Sequence, residues 1–391
     1  MRSQQSDKLA SIGTYAFVDV KNRVKELRQQ GITPIDFGIG DPTAPTPELV
    51  REALKKAVDE RKSAGYPLEE GELSYRQVIS DWSRKRFSIS LDPQKEICAN
   101  IGAKEAVFHI PFAFINPGDY VLIPNPVYPP AQKGTHFAGG KPFYMPLLQD
   151  NSHLPDLEAL PKEIVKKSRI IYVNYPNNPT TALATKDFYK ELVDFAHDNS
   201  IIIVSDECYS EMYYEKKPVS LLETSREGVI QVQSLSKRSN MTCYRIGWIA
   251  GDENLIAPFK KLKPNYDSGA ATFIQDAAAA ALSDEKHVEE MRKGYKEKRD
   301  IMVKAFSDIG LEDCTPPATL YIWQRCPEGI GSVEFAKKLL DPEIAVVCTP
   351  GSWLSAQEEN LNPGDGYARF ALVPSLEDTK KAAEKIRKLE F

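Results

Sequence analysis

Short β-branched runs alternate with helical patterns between about residues 96 and 250, and this alternation constrains the fold more than any other feature of the chain. Runs rich in Val and Ile that are separated by helices are typical of a mostly parallel sheet built from βαβ units. The sequence predicts strands at Ile97–Ile101, Tyr120–Ile123, Ile170–Asn174, Ile201–Asp206, Val229–Gln233 and Ile246–Ala250. We therefore expect an α/β domain whose mostly parallel central sheet is flanked by helices.

The pattern changes after residue 280, which predicts a second and smaller domain. A long charged amphipathic helix is expected at about His287–Ile309. Strands near Leu320–Gln324, Ala345–Thr349 and Tyr367–Val373 and a closing helix follow it. We expect residues 281–391 to form a small α+β domain, with the N-terminal segment 1–45 packed on it, and residues 46–280 to form the large domain.

The composition favours a small-molecule ligand over nucleic acid or a membrane. The 391 residues include 50 Lys and Arg against 55 Asp and Glu, a net charge of −5, without a basic block. No window approaches the roughly 18 apolar residues of a membrane span, and the N-terminus lacks the apolar stretch of a signal peptide. The six cysteines are scattered and form no C-x-x-C pair. We expect a cytoplasmic protein with reduced thiols and no metal site.

Three polar motifs follow predicted strands, at the sheet edge where open α/β sheets bind ligands. They are NYPNNPT (Asn174–Thr180), SDECYSEM (Ser205–Met212) and SLSKRSNMTCYRIGW (Ser234–Trp248). Because the carboxyl ends of parallel strands meet at one edge, we expect the functional site there.

Lys237 lies in a hydroxyl-rich turn directly after a predicted buried strand, where a lysine has no structural need to be. A lysine amine forms a Schiff base when its surroundings favour the neutral form. Ser234, Ser236 and Arg245 supply hydroxyls and a guanidinium, the combination that holds a phosphate. The turn thus predicts an imine-forming amine beside an anion site; a solvated surface lysine is the alternative.

Asp206 ends the apolar run that begins at Ile201, where an unpaired carboxylate is costly. A protonated ring nitrogen of a pyridinium cofactor is one candidate partner, and a helix cap or a structural arginine is the alternative. Tyr209 and Asn178 are candidates to bond an oxygen of the same ring, and Asn178 precedes a proline whose peptide bond is a candidate for the cis form. Core packing for Tyr209 and a simple Asn-Pro turn for Asn178 are the alternatives.

Three further segments contain candidate ligand-binding groups. The helical stretch after Gly102 offers free backbone N–H groups to a phosphate. Tyr128, just after another strand, is a candidate to stack on an aromatic ring, with core packing as the alternative. Arg369 lies between apolar neighbours in an alternating strand and needs an anion, either a substrate carboxylate or a structural partner.

Together these motifs resemble those of the fold-type I, class I/II pyridoxal-phosphate aminotransferases over nearly the whole chain. They occur in the family's order, with 28 residues from Asn178 to Asp206, 31 from Asp206 to Lys237 and 8 from Lys237 to Arg245. The resemblance implies that Lys237 is the Schiff-base lysine, Asp206 the partner of the ring nitrogen, and Tyr209 and Asn178 the ligands of the ring hydroxyl. The other implied ligands are Ser234, Ser236, Arg245 and the amides of Ala103 and Lys104 for the phosphate, Tyr128 for the ring face, and Arg369 for the substrate α-carboxylate.

A narrower resemblance is to the LL-diaminopimelate aminotransferase group. Tyr15–Phe17, FGIGDPTAPTP (Phe37–Pro47), GYPLEEG (Gly65–Gly71) and KPNYDSGA (Lys263–Ala270) are the segments that support it. It implies a homodimer with shared active sites that moves an amino group between LL-diaminopimelate and a 2-oxo acid such as 2-oxoglutarate, in lysine biosynthesis. The residues it adds are Tyr66 on the neighbouring subunit's phosphate, Gly40 beside the substrate, and Tyr15 and Glu69 lining the pocket across the dimer.

The chain also departs from the family's pattern. Thr181 stands where glycine is common, and Arg238 and Tyr244 are expected to flank the cofactor and alter the shape of the pocket. A polar insertion at residues 353–365 leaves the identity of the amino-acid substrate open, with alanine, aspartate, glutamate or an aromatic amino acid as alternatives to LL-diaminopimelate. A pyridoxal-phosphate lyase on the same fold and a non-catalytic amino-acid sensor are the other functions that such motifs allow.

Overall fold

The structure, a computed structural model, describes residues 5–11, 18–358 and 361–391. Tyr15, predicted to line a substrate pocket, lies outside the described residues. Across the described ranges, none of the helices has the length and apolar character that a membrane crossing requires.

Strands and helices alternate along most of the described chain. The strands are β1 (Ile35–Asp36), β2 (Ile97–Asn100), β3 (Tyr120–Asn125), β4 (Lys141–Pro146), β5 (Ser168–Asn174), β6 (Ile202–Asp206), β7 (Val229–Ser234), β8 (Gly247–Gly251), β9 (Tyr321–Arg325), β10 (Val346–Val347), β11 (Thr349–Pro350) and β12 (Tyr367–Ala371). The helices are α1 (Asp7–Ala10), α2 (Val18–Gln29), α3 (Glu48–Glu60), α4 (Leu73–Phe87), α5 (Ala103–Phe114), α6 (Pro130–Phe137), α7 (Lys162–Val165), α8 (Lys186–Asp198), α9 (Leu235–Arg238), α10 (Glu253–Leu262), α11 (Thr272–Leu282), α12 (Lys286–Asp308), α13 (Ser332–Leu339) and α14 (Leu376–Ile386).

The central sheet has seven strands in the order β2-β8-β7-β6-β5-β3-β4. The neighbours from β7 to β4 run parallel, whereas β8 is antiparallel to both β7 and β2. The predicted mostly parallel α/β sheet is therefore confirmed. Sequence reasoning missed β4, because Pro142 and Pro146 weaken its strand pattern; prolines are tolerated there since β4 is an edge strand.

Helices cover both faces of this sheet, which explains the nearly continuous apolar strands. Along β5, Ile171 and Val173 pack with α4, α8 and α11 on one face. Ile170 and Tyr172 face the opposite core, which α5 and α10 complete. Strands buried on both sides leave their carboxyl ends as the accessible edge, where polar side chains collect.

The C-terminal part of the chain builds a separate core around a three-stranded antiparallel sheet in the order β11-β12-β9. β1 pairs in parallel with β10, and Phe37 exchanges backbone hydrogen bonds with Val347 and Ala371 at 2.9 and 2.7 Å. The N-terminal segment thus joins the C-terminal core. The domain boundaries near residues 45 and 280 stay a prediction that this division of the cores supports.

A buried carboxyl group, that of Glu207, fixes the end of β6. All of its donors are neutral: the Leu221 amide at 2.9 Å, the Gln231 side chain at 2.8 Å, and the Ser205 and Ser220 hydroxyls at 3.0 and 3.1 Å. Burial raises the pKa of Glu207 to about 7, although these hydrogen bonds oppose the shift. The group thus holds β6 against β7 immediately beside Asp206.

We expect Glu207→Gln to become more stable relative to wild type as the pH rises from 5 to 8. Glutamate in the unfolded chain titrates at about 4.3. The folded protein, with the Glu207 pKa at about 7, therefore holds an extra proton between these values. Wild-type stability then falls as pH rises through this window, by up to about 1.4 kcal/mol per pH unit. Thermal unfolding midpoints at pH 5.5 and 8 measure it.

The exposed Glu290→Gln serves as the control for this prediction. Equal pH dependence in wild type and Glu207→Gln would show that Glu207 does not titrate in this range.

Candidate functional site

A cavity of about 610 Å³ lies at the carboxyl ends of β5, β6 and β7. The residues predicted for the site that line it are Gly40, Ala103, Lys104, Tyr128, Asn178, Asp206, Tyr209, Ser234, Ser236, Lys237, Arg245 and Arg369. A wider surface groove of about 720 Å³ beside α7 and α8 contains none of them. The cavity is therefore the candidate site.

Lys237 enters this cavity from α9, which follows β7 without a loop. The Ser234 hydroxyl caps that short helix by accepting the Ser236 backbone N–H at 3.1 Å. The Lys237 amine is half-buried and donates a hydrogen bond to the Gly40 carbonyl at 2.5 Å. The amine thus points into the cavity, unlike a solvated surface lysine.

Asp206 ends β6 with its carboxylate buried against the cavity. One carboxylate oxygen accepts the Cys208 backbone N–H at 3.1 Å, and the Asn174 side chain donates to the Asp206 backbone carbonyl at 2.8 Å. Burial raises the pKa of Asp206, and the Cys208 thiol and amide partly offset that rise. In the described part of the chain no cation pairs with it. The site therefore suits a ligand that brings a cationic group.

Asn178 links the tyrosine and the arginine of the site. Its side-chain amide donates to the Tyr209 hydroxyl at 3.3 Å, and its carbonyl accepts from Arg369 Nη1 at 2.9 Å. Arg369 Nη2 donates to the Gly38 carbonyl at 3.0 Å, while its buried Nε has no partner among the described residues. The Asn178–Pro179 peptide is cis, as the sequence suggested. Within the described chain Arg369 is thus held by neutral groups, and its guanidinium lines the cavity, where an anion can approach it.

An anion site forms where α5 begins. Gly102 precedes the helix at φ +75°, and a Cβ there would lie 2.5 Å from Arg245 Nη2. Arg245 is fixed by donating from Nη1 to the Thr242 carbonyl at 2.7 Å. The hydroxyls of Ser234 and Ser236 lie 3.0 Å apart in the same lining. Helix amides, a guanidinium and two hydroxyls in one place suit a phosphate.

Sequence reasoning missed several lining residues, and one of them, Tyr321, contacts two of the predicted site residues. Its hydroxyl lies 3.1 Å from that of Tyr209, and its ring lies under the Arg369 guanidinium. The predicted strand Leu320–Gln324 contained Tyr321, but the sequence does not reveal which strand lies beside it. Further missed residues of the lining are Gly38, Ile39, Asp41, Pro129, Asn174, Cys208, Thr242, Cys243, Trp353 and Leu354.

The polar insertion at residues 353–365 closes against the end of β3. The Val127 amide donates to the Leu354 carbonyl at 3.1 Å. The Asn125 side chain exchanges two hydrogen bonds with the Ala356 backbone, at 2.9 and 2.8 Å. The start of the insertion therefore forms one wall of the cavity; residues 359 and 360 lie outside the described chain.

The expectation that Arg238 and Tyr244 flank the cofactor site is wrong, because neither lines the cavity. Arg238 is buried on the other side of α9 and donates to the Ala281 carbonyl at 2.8 Å and to Glu285 at 2.6 Å. Tyr244 packs on the hydrophobic core. Successive residues of a helix point about 100° apart, so the side chains of Lys237 and Arg238 diverge.

Thr181, which stands where glycine is common in the family, adopts φ +66°. This is the left-handed conformation that glycine favours.

Tyr66 and Glu69 do not line this chain's cavity. Tyr66 is 93% exposed, whereas Glu69 is half-buried in a loop packed on Gly269. A Cβ on Gly269 would lie 2.6 Å from the Leu68 carbonyl oxygen, so that packing is close. Their implied roles across a dimer stay a prediction.

Comparisons with known proteins cover nearly the whole chain. Residues 32–386 match the family model for aminotransferase class I and II. The chain is 42% identical to the LL-diaminopimelate aminotransferase of Aquifex aeolicus over 99% of each sequence, and 42% identical to that of Maridesulfovibrio salexigens over 98% of each. Substrate-bound BacF from Bacillus subtilis superposes with a TM-score of 0.91 at 29% identity, over 99% of this chain and 98% of that one. A Thermus thermophilus aspartate aminotransferase mutant gives 0.90 at 27% identity over the full length of both.

We expect Gly102→Ala to weaken binding of inorganic phosphate by roughly tenfold or more, because its Cβ displaces Arg245 and costs a charge-assisted hydrogen bond. Titration calorimetry with phosphate measures the affinity. Gly118→Ala is the matched control, since Gly118 also has a positive φ, +97°, but faces open space. Equal losses in the two variants would contradict the assignment of Arg245 to the anion.

Proposed function

The chain belongs to the class I and II aminotransferases, and we propose that it transfers an amino group between an amino acid and a 2-oxo acid with pyridoxal 5′-phosphate as its cofactor. The meeting of Lys237, Asp206 and Arg245 in one cavity carries the cofactor proposal. An amine, a carboxylate without a cation and an anion site match the carbonyl, the ring nitrogen and the phosphate of that cofactor.

The remaining lining residues fit the same molecule. Arg245, Ser234, Ser236 and the amides of Ala103 and Lys104 would hold the phosphate, Tyr209 and Asn178 the ring hydroxyl, and Tyr128 the ring face. When bound, the cofactor supplies an electron sink for charge that develops at the substrate Cα. Asp206 supports this role, because its carboxylate favours a protonated ring nitrogen.

Lys237 has two tasks in this proposal. At rest its amine would hold the cofactor, and the amine would be free once an amino acid had bound. The freed Lys237 Nζ then acts as the general base that takes the proton from the substrate Cα. In the structure a hydrogen bond to the Gly40 carbonyl holds the amine within the cavity.

Arg369 is the proposed ligand of the substrate α-carboxylate. Asn178 and Gly38 already hold two of its nitrogens at 2.9 and 3.0 Å, which orients the guanidinium plane. The guanidinium lines the cavity and has no carboxylate partner among the described residues, which supports an anion as its missing ligand. A planar fork held in this way recognises a carboxylate with defined geometry.

LL-diaminopimelate is the proposed amino donor, and a 2-oxo acid such as 2-oxoglutarate the acceptor. The full-length relatives at 42% identity that carry the name LL-diaminopimelate aminotransferase support this choice. The far end of this substrate has an ammonium group, which Glu69 of the partner subunit would pair with. A glutamate or aspartate donor would instead bring a like charge to that carboxylate.

The proposal includes a homodimer in the cytoplasm. Within the segment Gly65–Leu73, the side chains of Tyr66, Leu68 and Leu73 are 93, 50 and 45% exposed. Exposed apolar groups concentrated in one segment favour a covered surface. A dimer that covers this segment would bring Tyr66 and Glu69 towards the neighbouring cavity.

We expect Lys237→Ala to lower turnover by at least about a thousandfold, because it removes both the covalent link and the base. Pyridoxal 5′-phosphate should still bind through Arg245 and the serines. Borohydride reduction followed by peptide mapping should attach the cofactor to Lys237 in wild type. Lys104→Ala is the control, since Lys104 lines the same cavity. A label on Lys104, or on any lysine other than Lys237, would overturn the assignment.

We expect Glu69→Gln to raise KM for LL-diaminopimelate by roughly tenfold or more, because it removes a charged partner of the distal ammonium. KM for alanine, which lacks that group, should stay unchanged and is the internal control. Amino-donor assays with LL-diaminopimelate, lysine, glutamate, alanine and aromatic amino acids measure both, and sedimentation measures the dimer. A silent Glu69→Gln with alanine or an aromatic donor preferred would refute the diaminopimelate substrate and leave the aminotransferase assignment standing.

A further inference from the structure

The geometry points to Tyr321 as a further positioning residue of the site, which aims the hydroxyl of Tyr209 and the guanidinium of Arg369 at the same time. This inference rests on the proposed function, because it concerns how the groups assigned to the cofactor oxygen and to the substrate carboxylate are held. Tyr321 belongs to β9 of the three-stranded sheet, whereas Tyr209 follows β6 of the central sheet.

Tyr321 reaches the cavity over Gly40. It is the first residue of β9, is 3% exposed, and lies opposite Ala371 in the register of β12, two residues from Arg369. A Cβ built on Gly40 would lie 2.1 Å from the Tyr321 hydroxyl and 2.7 Å from its ring. The space beside Gly40 is therefore filled by this tyrosine, and a larger residue at position 40 would displace it.

The first contact of Tyr321 orients Tyr209. The Tyr209 hydroxyl lies 3.1 Å from the Tyr321 hydroxyl and 3.3 Å from the amide nitrogen of Asn178. A phenol has one proton and two acceptor positions. The Tyr209 hydroxyl would donate its hydrogen bond to a negatively charged oxygen in the cavity, because charge-assisted hydrogen bonds are stronger than neutral ones. Tyr321 is then the donor to Tyr209 and, with Asn178, occupies both acceptor positions.

The second contact of Tyr321 supports Arg369. The guanidinium carbon lies 4.6 Å from the centroid of the Tyr321 ring, a cation–π distance. Asn178 and Gly38 bond two of the guanidinium nitrogens from the side. The ring of Tyr321 thus bounds one face of Arg369 and limits where its fork points.

These contacts form a closed circuit in the order Tyr321, Tyr209, Asn178, Arg369 and again Tyr321. Two members come from the three-stranded sheet and two from the edge of the central sheet. A displacement of Tyr321 would therefore disturb the groups proposed for the ring oxygen and the carboxylate together.

Core packing alone does not require the Tyr321 hydroxyl, since phenylalanine has the same ring.

The titratable groups that face Tyr209 are Tyr321, Asp206 and Cys208, and burial with these neighbours raises the pKa of Tyr209 well above its usual range. Tyr295 packs beside Tyr321, and Asp41 faces Tyr295. The Tyr209 hydroxyl therefore keeps its proton near neutral pH and can donate a hydrogen bond.

Tyr321→Phe tests the hydroxyl. With pyridoxal 5′-phosphate bound, the pH midpoint of the visible absorption band should rise by roughly half to one unit, the equivalent of one lost hydrogen bond. The reason is that a misdirected Tyr209 no longer stabilises the negative charge on the ring oxygen. That charge then raises the pKa of the nitrogen by which Lys237 would hold the cofactor. KM for an amino acid should change less than about twofold, because the ring under Arg369 remains.

Tyr321→Leu tests the ring. It should raise KM for an amino acid by about tenfold in addition to the spectral shift, since it removes the cation–π face of Arg369. An amine that lacks the carboxylate should show no such loss. Tyr321→Met, which fills a similar space, replaces Tyr321→Leu if that variant does not fold.

Tyr295→Phe is the matched control, because Tyr295 is a buried neighbour in the same core whose side chain does not line the cavity. Its spectral midpoint should equal that of wild type. The same midpoint in Tyr321→Phe would overturn the inference, as would a KM within twofold of wild type in Tyr321→Leu, or in Tyr321→Met where it replaces that variant. Wild type without a visible band that bleaches with amino acids would instead refute the proposed function, so the two failures are distinguishable.

Discussion

The buried carboxylate of Asp206, which forms no ion pair with any described residue, is the constraint on which the rest of the site depends. Burial disfavours its ionised form, and the amide and thiol of Cys208 offset only part of that cost. The strand ends on either side are arranged around it, with Asn174 fixing its backbone and Lys237 following the next strand. A ligand with a protonated ring nitrogen would satisfy this carboxylate, which is why the proposed cofactor fits the cavity.

The site is completed only where the two sheets meet. Asn178 and Tyr209 come from the edge of the central sheet, and Arg369 and Tyr321 come from the three-stranded one. The side-chain amide of Asn178 contacts both Tyr209 and Arg369. The residue proposed for the ring oxygen and the residue proposed for the carboxylate therefore share Asn178 as a partner. In the proposed function, the groups assigned to the cofactor and to the substrate are therefore held by a common residue.

Much of the fold was predictable because its central strands are buried on both faces and so appear as apolar runs in the sequence. β4 escaped this reasoning since its prolines are allowed only by its place at the sheet edge. The site residues after β5, β6 and β7 were predictable for a related reason, as parallel strands bring their carboxyl ends to one edge. Tyr321 was not, because its place depends on the pairing of β9 with β12 and on the approach of Gly40.

The sequence by itself determined the class of fold and the family, and it located the lysine that enters the cavity, since these depend on local patterns and on motif spacing. Only the tertiary structure decided which neighbouring side chains enter the cavity. Lys237 and Arg238 are adjacent in the chain, yet one faces Gly40 and the other is buried against Glu285. The physical reason is that side-chain direction changes by about 100° per residue on a helix, and the partners on each side come from distant segments whose approach no local pattern encodes.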